Sequence, residues 1–301
     1  MILRYLLPGI WLAWGLSYPI MSWSLEAVDM FSSRLIIMAA SGIVLITVAA
    51  LLGRGSVWPQ RETWGRLALA AFFNMSLFQV CLISGVFLLG PTRTPILIYT
   101  MPAWSALFAA LLLKERISPR VMVSAALGLV AVALIVAQER RLASTHIGTA
   151  LTVLAAISFG IGTVLTKAAR WPGDPTAFAG WQLLVGAIPI VPLWWALYDH
   201  TYFHPGETRG LLSLAYLTIV ANSLAYFCWF RVIEALPASV AGITTLVVPC
   251  VGFGSSALLI GGGVSHLDVL ALGLVLVSVT LVLAQRAPER ATPAREGSSG
   301  P

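Results

Sequence analysis

Charged residues are scarce in this 301-residue chain: Asp, Glu, Lys and Arg together make up 10% of it, against about 25% in soluble domains. Hydrophobic residues reach 58%. A soluble chain of this length could not bury so much apolar surface, so the composition predicts that the lipid bilayer is its solvent. The net charge of +6 does not indicate nucleic-acid binding, because the basic residues lie at the ends of apolar runs rather than in one patch.

Cysteines and catalytic motifs are scarce as well. The three cysteines, Cys81, Cys228 and Cys250, all lie in apolar runs, which argues against a disulfide framework or a cysteine metal site. The four histidines are predicted to lie between membrane spans, and neither a zinc-protease motif nor a phosphate-binding loop occurs. The sequence therefore predicts no catalytic residue, no metal and no cofactor.

Long apolar runs dominate the chain instead. A transmembrane helix needs about 20 apolar residues. Ten such runs follow one another with short connections: Tyr5–Ser24, Phe31–Leu52, Trp64–Leu88, Thr94–Leu112, Arg120–Ala137, Ile147–Thr166, Thr176–Leu197, Gly210–Phe230, Ser239–Ile260 and Leu267–Ala284. The predicted fold class is an all-α integral membrane protein with ten transmembrane helices.

The basic residues are unevenly distributed between the two sides of these spans. If the N-terminus lies inside, most of the 18 Lys and Arg residues fall on the cytoplasmic side. The positive-inside rule then predicts that both termini are cytoplasmic. The polar tail, residues 287–301, is predicted to be a disordered cytoplasmic segment.

The two halves of the chain repeat one another at a nearly constant offset. The pentapeptide ALGLV occurs at residues 126–130 and again at 271–275, and Trp14-Gly15 corresponds to Phe159-Gly160, each 145 residues later. Since five spans is an odd number, a duplicated five-span unit crosses the membrane in the opposite sense. Inverted repeats of this kind are typical of transporters, whose substrate site lies between the halves near the bilayer midplane. We predict an N-terminal five-helix repeat over residues 1–141 and a C-terminal inverted repeat over residues 142–286.

Polar and aromatic residues inside the spans cluster at similar places in both halves. A polar group in hydrocarbon is costly unless it faces a cavity or a partner, although serine and threonine often bond back to their own helix. We predict a central cavity that suits a zwitterionic or uncharged small solute. Its substrate-binding residues are predicted to be Trp14, Ser17, Tyr18, Asn74, Gln79, Tyr99, Thr100, Ser158, Thr163, Trp181, Asn222, Tyr226 and Thr245.

Glycines and prolines inside the spans are the predicted hinges. A proline within a helix removes a backbone hydrogen bond, so Pro102 is expected to free a carbonyl near Ile98 and bend the helix. The predicted hinge or gating residues are Gly15, Pro19, Pro102, Gly160, Gly162 and Pro249. The alternative is that these residues only shape the packing of the helices.

No Asp or Glu lies in the middle of a predicted span. A proton- or sodium-coupled carrier usually buries a carboxylate there, so its absence favours facilitated transport, although Lys167 and Arg34 leave proton coupling open. Only Arg34, Arg93 and Lys167 lie near a span interior, which is few for a nucleotide sugar. A multidrug or nucleotide-sugar carrier remains an alternative, as does a scaffold or receptor that transports nothing.

The chain resembles the EamA-type members of the drug/metabolite transporter superfamily over residues 5–286. The matching pieces are Trp14-Gly15, Arg34, Pro102 followed by LLLKERIS with Glu115, Phe159-Gly160 with Lys167, Trp181-Gln182 and Pro249. The aromatic content is most similar to that of YddG-like amino-acid exporters. The resemblance implies ten helices in two inverted repeats around a central cavity. It also implies export of neutral or aromatic amino acids and related small metabolites, by alternating access across the bacterial inner membrane.

Two positions depart from the family pattern. Gly261-Gly262-Gly263 stands where the family often repeats its glutamate, and Ser22 stands at the position that corresponds to Lys167. No role is therefore carried over from a symmetric pair of glutamates or lysines. The predicted partners are a small-molecule substrate and the lipid bilayer; a monomer suffices for transport, and the oligomeric state is left open.

Overall fold

The computed structural model describes residues 3–53, 55–112, 119–138, 143–169, 171–197, 203–229, 247–261 and 263–283. The predicted tail, residues 287–301, and the first part of the ninth predicted span lie outside these ranges. The described residues form helices joined by short connections, with an isolated β-bridge between Val28 and Phe203. Helices are expected in a bilayer-spanning chain, because a helix satisfies its own backbone hydrogen bonds where water is absent.

The first half of the chain contains eight of the described helices. They are α1 (Leu3–Gly15), α2 (Ser17–Ser24), α3 (Met30–Leu52), α4 (Trp64–Ala71), α5 (Phe78–Leu89), α6 (Thr94–Ile98), α7 (Met101–Leu112) and α8 (Pro119–Gln138). A short 3-10 helix, Arg61–Thr63, precedes α4. A first π-helical turn, Phe72–Leu77, joins α4 to α5 without a break in the helical path.

The second half continues in the same manner. Its described helices are α9 (Ala143–Ala169), α10 (Pro175–Ala187), α11 (Ile190–Leu197), α12 (Thr208–Tyr216), α13 (Val247–Ser256) and α14 (His266–Leu283). A second π-helical turn, Leu217–Leu224, extends α12, and the helix then runs on to Trp229. A further π-helical turn, Ala257–Gly261, ends α13.

The described helices suit a lipid environment in length and in surface. Seven helical stretches are long and apolar enough to cross a membrane: Met30–Leu52, Arg61–Leu89, Thr94–Leu112, Pro119–Gln138, Ser144–Ala168, Pro175–Leu197 and Thr208–Trp229. Val247–Gly261 and His266–Val282 are shorter apolar helices. Large apolar side chains such as Leu51, Trp195 and Leu258 are exposed, as expected where lipid covers the surface. These features agree with the predicted all-α membrane fold class.

Three of the predicted spans are interrupted inside. The first is broken at Leu16, between α1 and α2. The fourth predicted span is broken at Tyr99 and Thr100, between α6 and α7, because Pro102 has no N–H to bond to the carbonyl of Ile98. The seventh predicted span is broken just before Ile190, between α10 and α11. The helix is therefore interrupted at the position where Pro102 is predicted to bend it.

The helices pack in pairs that the 145-residue offset relates to one another. α3 packs against α10 and α8 against α14, so each of these pairs joins corresponding helices of the two halves. The run from α4 to α5 packs against α9, just as α12 and its π-helical turn pack against α1 and α2. Likewise, α7 packs against α9 as α13 packs against α1. Exchanging the two halves leaves these main contacts unchanged.

Two local features recur at the same offset. The first and second π-helical turns begin 145 residues apart, at Phe72 and Leu217. Asp29 caps α3 by accepting hydrogen bonds from the second and third N–H groups of that helix, at 2.9 and 3.1 Å. Asp174, again 145 residues later, caps α10 in the same way at 2.7 and 3.2 Å. An aspartate at this position satisfies N–H groups that have no partner inside the helix.

The histidines depart in part from their predicted positions. His146 lies in the first turn of α9 and His266 is the first residue of α14, so the prediction that all four lie between helices is wrong for these two. His204 lies in a connection, where its backbone N–H donates to the carbonyl of Ala27 at 3.0 Å. His200 lies outside the described residues.

Candidate functional site

Three tyrosines from distant parts of the chain lie around Trp14 in the interior. Tyr18 of α2 and Tyr99 at the break after α6 belong to one buried apolar cluster, against which Trp14 packs, and Tyr226 follows the second π-helical turn. The indole of Trp14, near the end of α1, lies 5.7 Å from the ring of Tyr226 and donates a 2.9 Å hydrogen bond to the carbonyl of Ala221. We refer to Trp14, Tyr18, Tyr99 and Tyr226 as the aromatic group.

Glycines bring α13 close to this group. A Cβ atom on Gly15 would overlap the side chain of Val251, and one on Gly252 would lie 2.9 Å from the ring of Tyr18. Glycine at both positions therefore lets α13 approach the break between α1 and α2. Through this contact, α13 of the second half packs against Tyr18 of the aromatic group.

A second group of interior side chains, which is polar, surrounds Arg34. Its Nη2 donates to the hydroxyl of Ser33 at 3.1 Å, and its Nη1 donates to Oε1 of Gln79 at 3.4 Å. The hydroxyl of Ser33 lies 3.4 Å from that of Ser24. Arg34 is only 1% exposed. We refer to Ser24, Ser33, Arg34 and Gln79 as the Arg34 group; of these residues, Gln79 alone was predicted to bind substrate.

Asn74 and Gln182 form a third polar contact, which joins the two halves. Nδ2 of Asn74 donates to Oε1 of Gln182 at 3.0 Å. Close by in the sequence, the hydroxyl of Ser76 donates to the carbonyl of Gly186 at 2.6 Å. A Cβ atom on Gly162 would lie 2.6 Å from the side chain of Asn74, so glycine there permits close packing of α9. The predicted binding residue Asn74 is thus engaged with another helix.

Trp181 lies in a separate aromatic cluster. Its ring is 5.3 Å from that of Trp58 and 5.5 Å from that of Trp64, and its Nε1 donates to the carbonyl of Val57 at 2.8 Å. Trp181 therefore anchors the connection that precedes α4. The structure does not bring Trp181 together with the aromatic group, although both were predicted to line the same cavity.

Five predicted polar residues donate to backbone carbonyl groups. The pairs are Ser17 with Trp14, Thr100 with Leu97, Ser158 with Phe73, Thr163 with Phe159, and Asn222 with Leu217, at 2.5 to 2.8 Å. Ser158 reaches a neighbouring helix, whereas the other four bond to nearby turns of their own segment. Thr245, also predicted to bind substrate, lies outside the described residues.

The predicted hinge residues divide into two kinds. Gly15 and Pro19 flank the break at Leu16, and Pro102 follows the break at Tyr99 and Thr100. In contrast, α9 continues through Gly160 and Gly162 without a break. A Cβ atom on Gly160 would lie 2.9 Å from the backbone nitrogen of Ser105, so this glycine permits close helix packing. Pro249 is the third residue of α13.

Two of the ion pairs in the described part of the chain join helix ends, and neither was predicted from the sequence. Arg209 at the start of α12 donates to Glu26 beyond α2 at 2.8 Å and lies over the ring of Trp23 at 5.5 Å. Arg93 donates to Asp268 of α14 at 3.0 Å, and Asp268 is fully buried. Charged residues near the predicted span ends were a signal, but their partners are far away in the sequence.

Metal binding finds no support in the part of the chain that the structure describes. Within it, no three His, Cys, Asp or Glu side chains lie close enough together to hold a metal ion. The three cysteines are free thiols. The candidate site consists of aromatic, hydroxyl, amide and guanidinium groups, which can recognise an organic solute by contact and hydrogen bonding.

Known proteins resemble this chain both in sequence and in fold. The model of the EamA-like transporter family matches residues 6–137 and 146–284. A solved crystal structure superposes with a TM-score of 0.65 at 18% sequence identity, covering 94% of this chain and 97% of that one. At this identity the likeness shows the fold alone.

Curated relatives are similar over most of their length. Protein PecM of Dickeya dadantii is 27% identical over 276 residues, which cover 90% of this chain and 88% of that protein. The uncharacterized transporter sll0355 of Synechocystis is 24% identical over 286 residues, covering 89% and 86%. An uncharacterized transporter of Archaeoglobus fulgidus is 22% identical over 273 residues, covering 91% and 95%.

Proposed function

This chain belongs to the EamA-like transporter family, and we propose that it exports neutral or aromatic amino acids and related small metabolites. Membership of a transporter family makes the chain a membrane transporter and not an enzyme. The observation that carries the substrate proposal is the aromatic group, whose members come from both halves of the chain. Its rings suit an apolar or aromatic side chain, and its tyrosine hydroxyl groups can bond an ammonium or a carboxylate.

We propose ten membrane crossings in two inverted five-helix repeats, over residues 1–141 and 142–286. The exchangeable helix pairs, the two π-helical turns and the two aspartate caps support this arrangement. The two separate stretches matched by the family model support it too. The distribution of Lys and Arg favours cytoplasmic termini, and we propose the bacterial inner membrane as the location.

The proposed mechanism is alternating access around the aromatic group. The breaks at Leu16 and at Tyr99 and Thr100 are where the first and fourth spans can bend, since Pro19 and Pro102 each lack the N–H of one helical hydrogen bond there. The ion pair between Glu26 and Arg209 holds two helix ends together, so its opening is expected to accompany access from that side. A monomer contains all of these parts.

We propose that transport is facilitative. Among the described residues two acids are buried: Asp174 caps α10, and Asp268 is paired with Arg93 close to the start of α14. Proton-coupled carriers usually bury a carboxylate that changes its charge during the cycle. Proton-coupled export is the alternative, and it requires a gradient for any net accumulation.

Counterflow in proteoliposomes tests the proposal. The purified protein is reconstituted with unlabelled L-phenylalanine inside, and uptake of labelled L-phenylalanine is measured with equal pH and ion content on both sides. Uptake without a gradient is expected. Failure with every neutral amino acid, together with uptake of organic cations or nucleotide sugars, would replace the substrate class with that of a multidrug or nucleotide-sugar carrier.

Trp14→Ala is expected to lower this uptake by up to roughly tenfold, because an aromatic contact contributes about 0.5–1.5 kcal/mol. Trp195→Ala is the matched control, since Trp195 is 80% exposed on the apolar surface. The control should transport at the wild-type rate. Equal uptake by both well-folded variants would contradict the role of the aromatic group.

A further inference from the structure

Arg34 is a buried cation whose hydrogen bonding is incomplete. It lies near the start of α3, is 1% exposed, and its hydrogen-bond partners among the described residues are the neutral side chains of Ser33 and Gln79. Its Nε is buried without a hydrogen-bond partner. The contact with Gln79, at 3.4 Å, is long for a hydrogen bond that involves a charged donor. The guanidinium therefore retains capacity to bond an acceptor of opposite charge.

Two other arginines at helix ends are paired with carboxylates. Arg93 donates to Asp268 at 3.0 Å, and Arg209 donates to Glu26 at 2.8 Å. The ion pairs among the described residues do not include Arg34, although it is more deeply buried than either. A buried charge without a counter-charge is costly, so it is retained where a function needs it.

The Arg34 group is linked to the aromatic group through α2, which carries Ser24 of the first and Tyr18 of the second. The hydroxyl of Ser24 donates to the carbonyl of Met21 at 2.7 Å, and Met21 lies in the same buried cluster as Tyr18 and Tyr99. One solute could therefore place an aromatic or aliphatic side chain against the aromatic group and a negatively charged group toward Arg34. An arginine fork matches the two oxygens of a carboxylate.

We propose that Arg34 binds the carboxylate of the transported solute. This inference rests on the proposed amino-acid function and deepens it, because it makes a free carboxylate a requirement for recognition. A single arginine matches one carboxylate rather than the several phosphate charges of a nucleotide sugar. Since Arg34 is sealed in this conformation, the carboxylate reaches it when the helices around Gln79 separate.

Competition against labelled L-phenylalanine in the counterflow assay tests the assignment. Phenylpropanoate has the ring and the carboxylate, whereas phenethylamine has the ring and an ammonium. In the wild type, phenylpropanoate is expected to compete. Arg34→Gln is expected to weaken competition by phenylpropanoate roughly tenfold or more, the loss of one charged hydrogen bond, and to leave competition by phenethylamine unchanged. Arg34→Lys keeps the charge but not the fork of the guanidinium. Its competition by phenylpropanoate is expected to be weaker than that of the wild type and stronger than that of Arg34→Gln.

Gln79→Glu keeps the test decisive if Arg34→Gln does not fold. This variant places a carboxylate beside Arg34 with little change in shape. It is expected to raise the melting temperature in detergent, because the guanidinium gains a counter-charge, and to raise the KM for L-phenylalanine, because the solute carboxylate must displace that charge. A purely structural arginine predicts the higher melting temperature with an unchanged KM.

The results separate this inference from the proposed function. If Arg34→Gln and Gln79→Glu take up L-phenylalanine with the wild-type KM and the wild-type pattern of competition, the role of Arg34 is overturned and the proposed function stands. Absence of amino-acid uptake by the wild type would overturn the proposed function. Stabilisation of the wild type by sodium chloride but not by phenylpropanoate, lost in Arg34→Gln, would assign an inorganic anion instead and overturn the carboxylate assignment.

Discussion

Arg34 in the first half and Gln182 in the second lie 148 residues apart, each within a few turns of the aspartate that caps its helix, α3 or α10. Both are buried and both contact an amide on the segment that runs from α4 to α5, Gln79 for Arg34 and Asn74 for Gln182. One side chain carries a charge, and the other does not. The two halves thus share their scaffold but differ in the chemistry that they bring to the interior.

This difference indicates which features depend on the repeat and which depend on the solute. Helix pairs, caps and close glycine contacts must be similar in both halves if both pack alike. A solute with one carboxylate has no such symmetry, so a single cation in one half suffices. Matched substitutions at corresponding positions of the two halves therefore test how far the shared scaffold extends, and overpacking is expected to cost the most.

Alanine at Gly15 or at Gly160 is expected to destabilise the protein by about 1–3 kcal/mol each, the usual cost of overpacking. A Cβ atom at Gly15 meets Val251, and one at Gly160 meets the backbone of Ser105. The measurement is denaturant unfolding in detergent micelles. Because these glycines lie 145 residues apart, similar costs are expected if the halves pack alike.

Gly9→Ala is the matched control for these variants. Gly9 lies in α1, as Gly15 does, but nothing lies within 4 Å of a Cβ atom built on it. Alanine there is expected to stabilise the helix by about 0.5–1 kcal/mol. A Gly160→Ala variant that behaved like this control would break the correspondence between the two halves.

Asp29→Ala and Asp174→Ala are each expected to cost about 1 kcal/mol, because each removes two hydrogen bonds to the start of a helix. Melting temperatures in detergent measure the loss. Asn at either position retains an acceptor oxygen and should recover most of the stability. Recovery at Asp174 but not at Asp29 would mean that the first aspartate acts through its charge and not only as a cap.

Apolar run length predicted the helices well, because the bilayer fixes the length of a span. For example, the prediction Phe31–Leu52 differs from α3, Met30–Leu52, by one residue. The break in the helix before Pro102 was expected from the missing N–H of this proline. The π-helical turn at Phe72 was not predicted, because one additional residue in a turn leaves no clear mark in a sequence that is apolar on most faces.

Side-chain partners were the least predictable part of the site. Trp181 lies in the middle of α10, where it contacts Trp58 of a distant connection and Trp64 at the start of α4. Arg34 was noticed as a cation near a span interior, but its lack of a carboxylate partner among the described residues depends on how α2, α3 and α5 meet. Contacts between distant segments depend on three-dimensional packing, which apolar periodicity does not specify.

The contact between Asn74 and Gln182 is expected to contribute less than the caps or the glycine contacts. In a double-mutant cycle with Asn74→Leu and Gln182→Leu, we expect a coupling energy of about 0.6 kcal/mol, the average for hydrogen bonds between membrane helices. The value is small because amides released from each other can find other partners in the unfolded state within the membrane. Unfolding of the two single variants and the double variant in micelles measures it. A coupling near zero would mean that this amide pair does not hold the halves together. Gln182 and Arg34 would then share only their position in the repeat. A measurable coupling with unchanged L-phenylalanine uptake in Gln182→Leu would assign Gln182 to the scaffold and leave recognition of the carboxylate to Arg34.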